Sequence, residues 1–478
     1  MPVDLYTAAQ TRELDRLTIE QGKVSGYALM SSAGHFAFSQ IQYHWPDCQN
    51  LSVLCGKGNN GGDGYIVAEF ARRAGIQVSL FSVCDPLELT GDAYQAYLNC
   101  QLEVQVGLSQ LPLATADVVV DALLGTGLQG DVKGLYQDWI AQLNDIAKPV
   151  LAIDIPSGLC ADTGRVLGGA VKADVTTAFI GRKQGMYTGQ ARNYCGEVRF
   201  AGLGVRASVY NQIPVSAQLL IAEVAPVDML QRAASSYKTH HGHVFVVGGD
   251  MGTFGAVVLA AQGAARAGAG LVSVYTQPEQ GPYVTMAQPE LMLVRDNWQQ
   301  ADVLVIGPGL GQDEFGHSAW QHCLALNKPM VVDADGLNLL AAVSQRRDNW
   351  ILTPHPGEAA RLLGCTTSEV EADRFAAIRK LQQEYGGVVI LKGAGSLICG
   401  PNQQVSVLGV GNAGMASAGM GDVLAGVCGA MLAQGLELED AAKMAAWVHS
   451  KAADMAAQDG RRGMLASDLL PFVRQLLG

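Results

Sequence analysis

No two of the ten cysteines stand in a CxxC pair, so neither a zinc knuckle nor a redox dithiol is expected. Scattered in this way, they read as reduced thiols of a cytoplasmic protein. The chain also lacks any run of about 18 apolar residues, which excludes a helical membrane span. Met1 to Glu20 is mixed polar and helical in pattern, with no apolar segment of the kind a secretory signal needs. Charge is sparse at 16%, and hydrophobic residues make up 49%, so the chain is well buried rather than disordered. Basic residues are outnumbered 32 to 44, and the net charge of -12 argues against nucleic acid as the main partner. Small phosphorylated ligands stay open, because backbone dipoles bind them locally. Glycine is plentiful at 57 residues, yet no Gly-X-Y period runs through it, which excludes collagen. At 478 residues the chain exceeds one ordinary core, and two large domains are expected.

What the sequence does hold is an α/β rhythm, stated twice. In the first half Leu51–Cys55, Ile76–Val83, Asp117–Asp121 and Pro149–Asp154 read as strands and Tyr65–Ala74 as a helix. Apolar strands separated by helices favour a parallel sheet covered on both faces. Ligands of such sheets lie beyond the C-terminal strand ends. The rhythm fades between about Gly204 and Tyr237 and then restarts. His243–Val247, Ala301–Ile306, Pro329–Val332, Trp350–Leu352 and Gly387–Leu391 read as strands. Phe254–Ala267 and Met420–Leu432 read as helices of small or apolar residues. The expected division is 1–215, a connector at 216–236, and 237–478. The halves show no mutual repeat, so they read as a fusion of unrelated domains.

Each half carries a glycine-rich turn with an aspartate at its end. The first runs Gly56 to Gly64 and contains Asp63; the second runs Asn412 to Asp422. Glycine lets backbone N–H groups approach an anion, and a neighbouring carboxylate suits proton transfer or a cation. Gly56–Gly64 follows a strand and opens a helix, but it has neither the Lys-Ser/Thr of a Walker loop nor the GxGxxG fingerprint. The plain alternative is a tight βα turn. Asp121 and Asp154 end two other apolar strands, where a charge is costly unless paired or bound to a cation. Singly, either could merely cap a turn; three strand ends meeting at one crevice favour a site.

Three motifs in order, NNGGDG from Asn59, DALLGTGL from Asp121 and IDIPSG from Ile153, resemble the N-terminal domain of the bifunctional NAD(P)H-hydrate repair enzymes over Met1 to about Val215. The resemblance implies a Rossmann-like three-layer αβα domain that epimerises R and S NAD(P)H hydrate. It implies that Asn59, Asn60, Gly61, Gly62 and Asp63 bind substrate, together with Gly125, Thr126, Gly127, Leu128, Gln129, Gly130 and Asp131. It also implies that Asn60, Asp121 and Ser157 hold a potassium ion and that Asp154 meets the hydrate centre. The hydrate is a hemiaminal: its ring nitrogen can expel water once an acid protonates the hydroxyl. Asp154 is the expected proton shuttle. Lys57 stands where proline is more usual.

Gly419-Met420-Gly421-Asp422 precedes an apolar helix whose first N–H groups can face a transferring phosphoryl group, with Asp422 as base. The plain alternative is a glycine turn with a capping aspartate. Val227 to Gly478 resembles the ADP-dependent NAD(P)H-hydrate dehydratases of the ribokinase-like fold. The resemblance is carried by Gly248-Gly249-Asp250, Gly307-Pro308-Gly309-Leu310-Gly311, Asp333-Ala334-Asp335, Thr353 to Glu358 and Lys392 to Ser396. It implies that Ala256, Gly309, His355 and Asp422 touch the hydrate. Lys392, Gly393, Ala394, Gly395, Ser396 and Gly421 would bind the adenine nucleotide, with magnesium on its phosphates. Met420 replaces a more usual serine. His240, His241 and His243 form a cluster that invites a metal, though their lead-in from Tyr237 also reads as a domain entry. The implied function is dehydration of S hydrate with ADP, giving NAD(P)H, AMP and phosphate, after epimerisation in the first domain. The implied partners are small molecules only, in a homo-oligomer. The alternatives are a ribokinase-like small-molecule kinase with a non-catalytic N-terminal domain, or an interaction module like those of RNA-decapping scaffolds.

Overall fold

The computed structural model describes residues 3–22, 24–221, 230–294 and 297–478. Residues 222–229, within the expected connector at 216–236, lie outside the described residues. Two compact units form, Asp4–Ala217 and Gln218–Gly478.

The first unit is built on seven parallel strands. Their order across the sheet is Val104–Val106, Gln77–Ser82, Asn50–Cys55, Val118–Ala122, Val150–Ile153, Val175–Phe179 and Glu197–Ala201. The central strands are apolar runs because both faces are covered. Val53, Cys55, Val118 and Val120 enter one core with Phe38 and Ile41 of the Gly26–His44 helix. Leu54 and Val119 enter the other with Trp139, Ile140 and Leu143 of the Leu135–Asp145 helix. The chain leaves Asn50–Cys55 toward one edge and returns through Val118–Ala122 toward the other, so a crevice opens between these two strand ends.

The second unit repeats this logic with different connections. Met292–Leu293, Leu271–Tyr275, His243–Val247, Val303–Ile306, Met330–Val332, Trp350–Leu352 and Val388–Leu391 run parallel in that order. Leu397–Cys399 and Val405–Leu408 follow antiparallel. Here the chain reverses direction between His243–Val247 and Val303–Ile306, and the Gly248 and Gly307 turns follow those strands. Phe254–Arg266 and Met420–Ala433 pack as two small-residue helices: a Cβ on Gly426 would lie 1.9 Å from the Ala260 carbonyl oxygen.

The sequence reading of His243–Val247 and Trp350–Leu352 agrees to the residue. The helix expected at Tyr65–Ala74 instead spans Asn59–Arg73. The NNGGDG motif is therefore its first turns rather than a loop before it. Close packing, not propensity, accounts for the glycines there. A Cβ on Gly61 would sit 2.0 Å from the Gly56 carbonyl oxygen, and one on Gly64 would meet the Ala122 and Cys55 side chains at 2.6 and 2.8 Å.

Candidate active sites

In the first unit a cavity of about 610 Å³ opens at the crevice. Asn59, Asn60, Asp63, Gly125, Thr126, Gly127, Leu128, Gln129 and Asp154 line it. Gly61, Gly62, Gly130 and Asp131 are not among its lining residues; Gly62 is instead packed against Met30 and Ala93. Lys57 reaches the rim, where its Nζ lies 3.4 Å from Glu88 Oε2.

Asp154 sits just past Val150–Ile153 with φ 67°, a left-handed backbone that turns its carboxylate out of the sheet. The fully buried Lys183 donates from Nζ to Asp154 Oδ1. A buried ammonium must be paired, and Asp154 at the cavity wall supplies that partner. Three further acids line the chamber, Asp15, Asp63 and Asp92. Asp63, in the first turns of Asn59–Arg73, is held well above the usual carboxylate range by burial and then by the charges of Asp154 and Asp15. Asp15, on the Ala8–Gly22 helix, lines the cavity and is raised to about 7 by burial and by Asp154, against the opposing pull of Lys183.

Behind the cavity wall Asp121 is fully buried. It accepts from Ser157 N at 2.8 Å, Ser157 Oγ at 2.6 Å and Leu123 N at 3.2 Å. Burial nonetheless raises it to about 6, the bonds from Ser157 working the other way. Asn60 is buried, and neither its Nδ2 nor its Oδ1 has a hydrogen-bond partner among the described residues. A buried amide with both ends unpaired is costly unless something else meets it. Asn60, Ser157 and Asp121 bring an amide, a hydroxyl and a carboxylate oxygen, donors of the kind that hard cations take.

In the second unit several of the residues expected at the site are linked by hydrogen bonds. Asp250 N donates to Gly309 O at 2.6 Å, and Thr253 Oγ1 to the same oxygen at 3.0 Å. Ala256 N donates to Thr253 O at 3.1 Å, which joins the start of the Phe254–Arg266 helix to the Gly307–Gly311 turn. That turn bonds onward through Gly311 N to Asp335 Oδ2 at 2.9 Å. Asp333, almost wholly buried, receives Lys392 Nζ at 2.7 Å. A Cβ on Gly421 would lie 3.1 Å from Lys392 Nζ, so the lysine tip lies close against the start of the Met420–Ala433 helix.

His355 caps the Pro356–Leu363 helix. Its Nδ1 accepts from Gly357 N at 3.0 Å and Glu358 N at 3.4 Å, while Glu358 Oε2 accepts from His355 N at 2.7 Å. An Nδ1 that accepts leaves the proton on Nε2, which lies 3.4 Å from Glu358 Oε1. Burial and the nearby Lys392 lower the His355 pKa, although Glu358 opposes them. Asp422, in the first turn of Met420–Ala433, is raised to about 6 by burial and then by Asp333 and Glu358, with Lys392 opposing. Its titration point therefore lies closer to neutral pH than that of an ordinary carboxyl.

Sequence reasoning missed Asp15, Lys183 and Arg374. The buried Arg374 donates to Leu391 O at 3.2 Å and Lys392 O at 3.1 Å, and holds the turn that begins at Lys392. The histidine cluster separates: His241 Nε2 meets Ser236 Oγ at 3.1 Å, His243 Nε2 meets Ser273 Oγ at 2.7 Å, and His240 packs on the Tyr237 ring. Among the described residues no group of three or more His, Cys, Asp or Glu side chains could hold a metal ion.

Comparison with known proteins bears on both units. Residues 244–474 match a family model described as NAD(P)H-hydrate dehydratase, and residues 26–185 match one described as YjeF-related protein N-terminus. A bifunctional NAD(P)H-hydrate repair enzyme of Coxiella burnetii is 45% identical over 99% of both chains. That of Escherichia coli K12 is 41% identical over 100% of this chain and 94% of its own. A solved ADP/ATP-dependent NAD(P)H-hydrate dehydratase of Bacillus subtilis, co-crystallised with ATP and magnesium, is 28% identical at a TM-score of 0.47, covering 52% of this chain and 94% of its own.

Proposed function

The chain belongs to the bifunctional NAD(P)H-hydrate repair enzymes, and from that premise we propose which residues perform each of its two reactions. The reactions proposed for it are epimerisation of R and S NAD(P)H hydrate and dehydration of the S form with ADP, giving NAD(P)H, AMP and phosphate.

Epimerisation is assigned to the cavity of the first unit, and the observation that carries this is Asp154, which lines it and is paired with the buried Lys183 behind. Asn59, Asn60 and Asp63 bind the hydrate from one strand end, Gly125 to Gln129 from the next, and Asp154 moves the proton at the carbinol oxygen. Gly61, Gly62, Gly130 and Asp131 shape those two segments. Asn60, Asp121 and Ser157 would hold potassium. The unpaired Asn60 amide and the buried Asp121 carboxyl support that fit. When bound, the ion supplies positive charge beside a buried carboxylate and stiffens the strand ends.

Dehydration is assigned to the second unit. Ala256, Gly309 and His355 hold the hydrate, and Asp422 accepts the proton of its hydroxyl as phosphoryl transfer begins. Lys392, with Gly393, Ala394, Gly395, Ser396 and Gly421, receives the nucleotide, whose transferred charge the N–H groups at the start of Met420–Ala433 stabilise. Three carboxylates, Asp333, Glu358 and Asp422, share one ammonium there. Magnesium on the phosphates would offset that excess of negative charge. The phosphorylated hydroxyl then leaves as phosphate while the ring nitrogen supplies its electron pair.

A small-molecule kinase built on the same unit would stop at a stable phosphorylated product. The deciding experiment incubates S hydrate with ADP and magnesium and follows reduced-nicotinamide absorbance and phosphate together. Equal release of both supports the assignment, and a phosphorylated product without nicotinamide absorbance overturns it.

A further inference from the structure

We propose that Asp15 is a second acid–base residue of the epimerase cavity, serving the face of the hydrate that Asp154 does not. The proposal rests on the cavity being the epimerase site. Inverting the carbinol centre requires water to leave from one face and return to the other. A proton must therefore be delivered on one side and removed on the other, and a single carboxylate is poorly placed for both.

Four aspartates line this cavity, Asp15, Asp63, Asp92 and Asp154, and the two argued here come from different elements. Asp154 comes from the strand end and is paired with Lys183. Asp15 comes from the Ala8–Gly22 helix, where Thr11, Asp15 and Ile19 form a line at four-residue spacing and all reach the cavity. The Asp15 carboxyl forms no hydrogen bond or ion pair among the described residues, in contrast to Asp154. The charged and titratable groups that act on Asp15 or share its cavity are Asp154, Asp63, Asp92, Lys57, Lys183, Tyr136 and Tyr210, with Arg12 on its own helix. Lys183 pairs with Asp154, whereas burial and then the charge of Asp154 raise the Asp15 pKa to about 7, so Asp15 can hold a proton near neutral pH.

The step balances without a redox partner. Asp15 gives its proton to the leaving oxygen, the C–O bond breaks with its electron pair going to water, and the ring nitrogen lone pair forms C=N. Water adds from the other face, a new C–O bond forms, the π pair returns to nitrogen, and Asp154 takes the proton. The reverse passage, or exchange with solvent, restores both groups.

The test separates R and S hydrates by chromatography, without ADP, for the wild-type chain and for Asp15→Asn, Asp15→Glu and Asp154→Asn, with melting temperature as the folding check. Asp15→Asn is expected to slow exchange by about a hundredfold or more, the lower range for a general acid. Wild-type exchange should fall as pH rises through about 7, where Asp15 loses its proton; Asp15→Glu should keep such a limb at a shifted pH, and Asp15→Asn should lose it. Exchange within about threefold of wild type in a folded Asp15→Asn, with Asp154→Asn inactive, overturns the role of Asp15 alone. Full exchange in both folded variants overturns the placement of the epimerase site itself.

Discussion

Asp154 and Lys183 show how one pair joins stability to chemistry. Lys183 is fully buried and its charge is answered by Asp154. Asp154→Asn should therefore abolish R/S exchange and also strand an ammonium in the core. Removing one partner of a buried pair costs about 3–5 kcal/mol, so urea unfolding of the first unit should shift to clearly lower concentration. Adding Lys183→Met removes the stranded charge and should recover much of that loss without restoring exchange. If the double variant is no more stable than the single one, the pair is not the source of the loss. Asp422 supports a pH prediction of the opposite sense to that for Asp15. As a base it must be ionised, and its pKa lies near 6 because of burial and then Asp333. Dehydration of S hydrate should fall as pH drops below about 6, and Asp422→Asn should be inactive at every pH. The same shift bears on folding: a carboxyl raised above its unfolded value of about 3.9 binds its proton more readily in the native state. Its contribution therefore favours folding below the unfolded pKa and is lost as pH rises through about 6. The burial that brings this base near neutral pH is thus a cost to the folded state once the group ionises.

Glycine acts at the level of whole helices in both units. Gly426 lies inside Met420–Ala433, where alanine would be the better helix former by about 1 kcal/mol. Yet its Cβ would come within 1.9 Å of the Ala260 carbonyl oxygen, so the two helices would have to separate. Overpacking of that kind costs about 1–3 kcal/mol, and the steric term should win. Gly426→Ala is expected to lower the melting temperature of the second unit and weaken turnover, since the same helix begins at Gly421 and Asp422. A gain in melting temperature would show that propensity decides instead. This contest also explains which elements could be read in advance. Apolar strands such as Trp350–Leu352 were plain because both faces are buried and the runs are continuous. The start of Asn59–Arg73 was hidden because three glycines in two turns oppose helix by local preference, and only the approach of Gly56, Ala122 and Met30 overrides it. Among site residues, Asp154 stood out as a charge ending an apolar strand. Asp15 did not, because on Ala8–Gly22 it sits among Arg12, Glu13 and Arg16 and reads as part of a solvated face. Lys183 was silent too: it lies in a two-residue strand, Arg182–Lys183, with no periodicity to mark it as buried.

At the scale of the molecule, two sites with different chemistry share one chain, and each should fail separately. The acidic surface, net -12, gives no general attraction for dinucleotides, so binding must come from local N–H groups and the few cations at the sites. The dehydratase consumes one stereoisomer, and the epimerase replenishes it from the other. A mixture of R and S hydrate given ADP and magnesium should therefore convert fully in the wild-type chain. With Asp154→Asn the absorbance of reduced nicotinamide should rise only to the S fraction and then stop on the assay timescale. With Asp422→Asn no absorbance should appear, yet R and S hydrate should still interchange when followed by chromatography. Mixing the two variant chains should restore full conversion, because the intermediate is a free small molecule that diffuses between copies. Restoration at the wild-type rate would mean that joining the domains confers no kinetic advantage. Restoration that is slower at low protein concentration and catches up as concentration rises would mean that the covalent link shortens the path from one site to the other. Failure of the mixture to convert the R fraction at any concentration would contradict the assignment of the two reactions to Asp154 and Asp422 in separate units.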